Sequence, residues 1–278
     1  MQATAAPPAA PEVDPPALTP ASRRRFPPGD RICPGLLACA RIGGDERTER
    51  WLAWSEPLWA RVVVLVPRDE HADDLRTVRR LAREARTLRR LAHPAIPRLL
   101  DDRHDHPFPH LVLEHVEGRT LERALLAEGP LPPGEVARLG VRLAAGLHYA
   151  HGRGVSQLGI EAHHIALRCG QPVLLHAGAA RPPRGGLDPR PDLAALGAVL
   201  YEAATGRAAP GVGGPVPRAR SLRPGLPAEL EGALHALLER DAGRRPRTAL
   251  DALRRLAAAL PPGEASWPAF AGRLLDTG

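Results

Sequence analysis

The side chains able to do chemistry in this 278-residue sequence are 12 histidines, 31 carboxylates, 38 arginines and three thiols, because lysine and asparagine are both absent. That absence excludes a Schiff-base lysine, a phosphate-loop lysine and a metal-ligating asparagine. The cysteines, Cys33, Cys39 and Cys169, are odd in number and lack CxxC spacing. They read as idle thiols of a reducing compartment, so a cytoplasmic location is expected. His104, Asp105 and His106 are ligand-type residues within one turn, and the simpler reading is a solvated hairpin tip. A formal charge of +7 invites a nucleic-acid reading. Against it, the densest basic run, Arg76 through Arg90, places its arginines around a helix whose other face is Val78, Leu81, Ala85 and Leu88, and 3% aromatics provide no stacking platform. Nucleic acid is therefore not expected as a partner. Nor is a membrane, because there is no apolar run of spanning length and no signal-peptide pattern.

The elements that must position these groups fall in two textures. Residues 1–30 are Pro/Ala-rich and poor in large apolar side chains, so they read as a disordered tail. From there to about residue 117 the pattern is mostly strands: a turn-rich Gly43-Gly44-Asp45, then Arg50 to Ser55, Val62 to Val66, Ile96 to Asp101 and His110 to Glu114. One long amphipathic helix, from about Asp73 to Ala92, interrupts them and stops before His93-Pro94. Beyond Gly118 helical spacing dominates, over Thr120 to Ala127, Pro133 to Arg153, Asp192 to Thr205, Ala228 to Arg240 and Thr248 to Leu260. Two short strands are expected around Ile165 to Leu167 and Pro172 to Leu175. The last segment, 261–278, reads as a tail.

Several stretches together resemble bacterial serine/threonine protein kinases. They are Arg83-Glu84-Ala85 with His93-Pro94, Leu111 through Leu121, Leu147 through Val155, Asp188 through Leu193, Leu196 through Arg207, and Arg244-Arg245-Pro246, in the family's order and nearly its spacing. The resemblance covers roughly residues 38–258. It implies an α+β, two-lobed protein-kinase-like fold: a small β-rich N-lobe with one long helix over 31–117 and a larger helical C-lobe over 118–260. Only 13 residues separate Gly178 from Asp192, so the activation segment is expected to be short.

The resemblance also implies where function should sit, and there the sequence departs from it. Leu65 falls on the lysine position, which leaves Glu84 without its usual cation; a residual pair with an arginine such as Arg61 is one reading, a plain surface acid the other. Gln157, Leu158 and Gly159 fall on His-Arg-Asp, His164 on the metal-binding asparagine, and His176-Ala177-Gly178 on Asp-Phe-Gly. Gly43 keeps the first loop glycine, while Asp45 and Thr48 replace the other two. Glu114 and Val116 match the hinge of a vestigial nucleotide cleft. Asp192 and Arg245 match structural positions, and the changes at Gln157 and Ala177 imply a loosened contact between the lobes. The helix near 208–225 is expected to be lost. The resulting expectation is a pseudokinase that is not an enzyme, acting as a regulatory or scaffolding module on an unidentified protein partner. Its alternatives are atypical ATP-dependent phosphotransfer and an Arg-driven binder of acidic partners. Neither ATP nor magnesium is expected as a cofactor. Zinc on His164 and His176 is held open, since imidazole suits it better than magnesium.

Overall fold

The computed structural model describes residues 26–176, 187–210 and 215–260. The expected tails at 1–30 and 261–278 lie outside the described residues, apart from 26–30 and Leu260 beside them. Phe26 packs edge-on against Trp51 with ring centroids 5.2 Å apart.

Six strands form one antiparallel sheet: β1 (Arg31–Cys33), β2 (Leu36–Gly44), β3 (Thr48–Ser55), β4 (Ala60–Pro67), β5 (Leu99–Arg103) and β6 (His110–Glu114), in the order β1-β2-β3-β4-β6-β5. The β3–β4 hairpin fixes a register that matters below. Counting outward from Ser55 opposite Ala60, Arg50 stands directly across from Leu65. Opposed residues of an antiparallel pair emerge on the same face.

The helix α1 (Leu75–Leu88) lies against this sheet. Asp74 caps it by accepting from the Arg76 amide at 2.9 Å, and Leu81, Ala85 and Leu88 form its buried apolar stripe. It ends four residues earlier than the periodicity predicts. The Ala92 amide leaves the helical ladder to donate to the Tyr149 hydroxyl at 2.9 Å, which ties the chain to the second lobe. The fifth strand also begins three residues later than expected, because Ile96 is held in a turn by donation to His93 O.

The second lobe comprises α2 (Leu121–Glu128), α3 (Pro133–Gly152), the hairpin β7 (Ile165–Arg168) and β8 (Gln171–Leu174), α4 (Arg190–Thr205), α5 (Ala219–Leu222), α6 (Ala228–Leu237) and α7 (Ala249–Ala257). The expected loss of helix in 208–225 is corrected by α5, a single turn. It survives among prolines because Glu231 accepts from the Arg220 amide and Arg223 donates to Leu131 O and Ala204 O. The main core runs without a break from Leu88, Leu91, Ile96 and Leu113 of the first lobe into α3, α4, α6 and α7, with Leu158 fully buried within it. Of the two changes from which a loosened contact between the lobes is expected, Ala177 lies outside the described residues, as do Gly178 and most of the short activation segment, and beside Gln157 the fully buried Leu158 joins the core.

Candidate active site

The linker after β6 brings the lobes together. Gly118, at φ +133°, lies so close to β7 that a Cβ there would come within 2.3 Å of Leu167 O, so only glycine allows the approach. Arg119 O accepts from the Leu167 amide, and Val116, Ala166 and Val173 form a small buried apolar cluster at the join. Glu114 does not face an open cleft. Its carboxylate accepts from Arg168 at 2.7 Å and from the Arg98 amide at 3.2 Å, which locks the linker to β7.

The loop of Gly43 is a tight hairpin tip. Asp45 Oδ1 accepts from the amides of Arg47 and Thr48, both at 2.9 Å, and Oδ2 pairs with Arg80. Burial opposes the Asp45 charge, but these donors outweigh it and hold its pKa below the usual carboxylate range. The Arg47 and Thr48 amides that could face a phosphate are thus already occupied.

Leu65 is fully buried against Leu81, Ala85 and Leu111, so the position that the resemblance assigns to a lysine belongs to the core. The cation has moved one strand over. Arg50, on the rung opposite Leu65, reaches the helix and lies with Nη2 3.8 Å from Glu84 Oε1. Its longer side chain spans the extra distance. The expected partner, Arg61, sits instead at the exposed end of the hairpin and pairs with Glu117 at 2.5 Å. Burial raises the Glu84 pKa, an effect opposed by Arg50, and lowers that of Arg50, opposed by Glu84. The pair is not satisfied: Arg50 Nε is buried without a hydrogen-bond partner among the described residues.

Below it lies the loop between α3 and β7. Asp192 is a closed hub. Its Oδ2 accepts from the Gln157 amide at 2.9 Å and contacts His151 Nε2 at 2.8 Å, and its Oδ1 accepts from the Leu158 amide at 2.9 Å. Those bonds hold Gln157 at φ +61°, a costly conformation for a side-chain-bearing residue, and Gly159 follows at +60°. His164 Nδ1 donates to Gly159 O at 3.0 Å, and its ring stacks on His176 with centroids 3.6 Å apart and planes 17° from parallel. Burial, reinforced by the charge of Arg50, keeps His176 neutral far below the usual imidazole range; His164 is shifted in the same direction. Arg245 is bound locally, donating from Nε to Glu239 O at 2.6 Å.

The family's magnesium does not fit this arrangement. A hard cation requires oxygen ligands, and the two positions that would supply them present stacked imidazoles. Stacked rings also keep their in-plane lone pairs in two nearly parallel planes, and an ion cannot lie in both, which counts against His164 and His176 sharing one ion.

The fold is that of a protein kinase domain, a β-rich lobe joined to a helical one. The crystal structure of the Mycobacterium tuberculosis PknI kinase domain superposes with a TM-score of 0.67 at 22% identity, covering 87% of this chain and 99% of that one. Among curated proteins, the serine/threonine-protein kinase PrkC of Bacillus subtilis is 26% identical over 259 residues, or 80% of this chain and 40% of that protein. The serine/threonine-protein kinase pkn2 of Myxococcus xanthus is 28% identical over 265 residues, 78% of this chain and 31% of its own length. No protein-family model matches. The homologues are thus bacterial serine/threonine protein kinases, and the chain spans well under half their length. These likenesses overturn the expectation that the chain is not an enzyme, because both the relatives and the solved neighbour are named as kinases. Among the described residues no helix is long and apolar enough to cross a membrane.

Arg50 is the residue beside Glu84 that sequence reasoning missed. The signal was the register: counting back from the Glu56-Pro57-Leu58-Trp59 turn places an arginine opposite the leucine that took the lysine's place.

Proposed function

We propose that the chain is a kinase domain of the bacterial serine/threonine type, with its phosphate-facing cation moved from the Leu65 position to Arg50. It transfers the γ-phosphoryl group of ATP to a serine or threonine hydroxyl. The observation that carries this reading is the Arg50 guanidinium, buried beside Glu84, with an Nε donor left unpartnered. A buried donor without a partner costs about 1–3 kcal/mol, a cost that an anionic oxygen would remove. A phosphoryl-transfer transition state asks mainly for positioning and charge placement. With the terminal phosphate against Arg50, the bond to the β-phosphate oxygen breaks as the bond to the hydroxyl oxygen forms, and the hydroxyl proton passes to solvent. The loop around Gly159 offers no carboxylate at the base position, so turnover is slow. A regulatory or scaffolding role alongside transfer is compatible with this reading and draws on the same departure from the family pattern.

The test is a thermal-shift titration with ATP, followed by transfer of label from γ-labelled ATP to protein in the presence of manganese or magnesium. Saturation at 100 times Kd adds about 2.7 kcal/mol, a rise of several degrees. The double variant Arg50→Met/Glu84→Leu removes the whole pair and keeps the fold, and it should lose both the shift and the label. Equal shifts in the two proteins would remove Arg50 from the phosphate site, and no label in the wild type would sink the transferase reading.

A further inference from the structure

Glu161, His163 and His164 lie on and beside a single 3₁₀ turn, Ala162–His164, that closes the loop below the cleft. One ligand atom from each falls within 4.8 Å of the others. We propose that these three residues form a site for a divalent transition-metal ion of the zinc class, with solvent completing its coordination.

Three features carry this. First, His163 Nε2 and Glu161 Oε2 are 3.4 Å apart. That is long for a charge-assisted hydrogen bond, which closes to about 2.7–2.9 Å. It does match the edge of a tetrahedron around an ion with bonds of about 2.1 Å. Second, His164 is oriented as bound imidazoles usually are: its Nδ1–H is spent on a backbone carbonyl, Gly159 O, which leaves Nε2 with a free lone pair. Third, the His163 and His164 rings have centroids 3.9 Å apart with planes 54° from parallel, so their planes intersect and one ion can lie in both, unlike the nearly parallel planes of His164 and His176. The donor set, two imidazoles and one carboxylate, suits zinc and its neighbours rather than magnesium or calcium. The side chains of Glu161 and His163 are about half exposed, at 58% and 47%, so an ion has a path in and open positions for water. The proposal rests on these three residues alone and does not depend on the Arg50 reading.

The experiment uses full-length protein purified without a histidine tag, stripped with chelator and titrated with Zn²⁺ and then Co²⁺. One ion per chain is expected, with cobalt absorption bands of nitrogen and oxygen ligation. Glu161→Gln/His163→Ala changes only exposed side chains and should lower affinity by at least the roughly 10- to 100-fold that even outer-shell changes cause. His176→Gln should retain binding, and so should His104→Ala/His106→Ala in the distant turn. The proposal is overturned by loss in His176→Gln with retention in Glu161→Gln/His163→Ala, by loss in the His104/His106 variant, or by no stoichiometric ion in the wild type.

Discussion

Two buried carboxylates border the cleft, and they are held in opposite ways. Asp192, beneath it, has both oxygens engaged, by the Gln157 and Leu158 amides and by His151, although His151 Nδ1 is itself buried without a partner among the described residues. Glu84, above it, is open: its cation stands 3.8 Å away and that cation's Nε has no partner among the described residues. A closed network fixes the backbone, whereas an open pair keeps unspent hydrogen-bonding capacity in a low-dielectric place. On the proposed reading, the difference separates a carboxylate that serves the fold from one whose cation is left available to a phosphate.

The largest effect should come from halving the open pair. Glu84→Ala leaves Arg50 buried and uncompensated, and urea unfolding should show a loss of about 3–5 kcal/mol. Arg50→Met/Glu84→Leu should recover most of that loss, because replacing both members of a buried ion pair by apolar groups is often neutral. At the hub no such rescue exists. Asp192→Leu fills the volume but orphans two backbone amides, so it should cost about 3 kcal/mol, as Asp192→Ala does. If Asp192→Leu were as benign as the double variant, the distinction between the two carboxylates would collapse.

The pH response sharpens the comparison further. His176 is held neutral by burial first and by Arg50 second, and His164, His93, His110 and His115 are also shifted down, chiefly by burial. A histidine whose folded pKa is depressed stays neutral in the fold while the unfolded chain takes the proton. Its stabilising contribution is therefore present above about pH 6.5 and lost as pH falls below it. Glu84, with a raised pKa, acts in the opposite sense: its contribution is present in acid and lost as pH rises through its folded pKa. Below pH 6.5 the partly buried His176 alone should contribute a slope of up to about 1.4 kcal/mol per pH unit. Unfolding free energies between pH 6.5 and 5 should fall steeply in the wild type and less steeply in His176→Gln. An unchanged slope would mean that the ring is solvated.

How much of this was legible in the residues follows the same division. The order of strands and helices and the presence of α1 were readable because they rest on local periodicity, while the cap at Asp74 was not read and Asp192 was placed by resemblance rather than by spacing. Arg50 was not, because a strand residue's role depends on what stands across from it, and register is a pairing property rather than a local one. The Glu114 lock to Arg168 was hidden for the same reason: 54 residues separate the partners. The short α5 turn was missed because its composition argues against helix, and only the tertiary bonds to Glu231, Leu131 and Ala204 hold it.

The smallest predicted effect concerns Arg245, which the resemblance places at a structural position. Its observed bond is local, from Nε to Glu239 O six residues earlier. A charged donor on one carbonyl contributes about 1.5–3 kcal/mol at full burial, and partial exposure should bring Arg245→Ala down to about 1 kcal/mol. Arg245→Gln, which can still donate to the same carbonyl, should recover part of that. A loss as large as that of Asp192→Ala would instead place Arg245 among the closed networks, with an anionic partner in addition to the Glu239 main-chain carbonyl. The comparison would then have to be redrawn with two hubs in the helical lobe rather than one. Urea titrations of the two Arg245 variants beside Asp192→Ala decide between these outcomes.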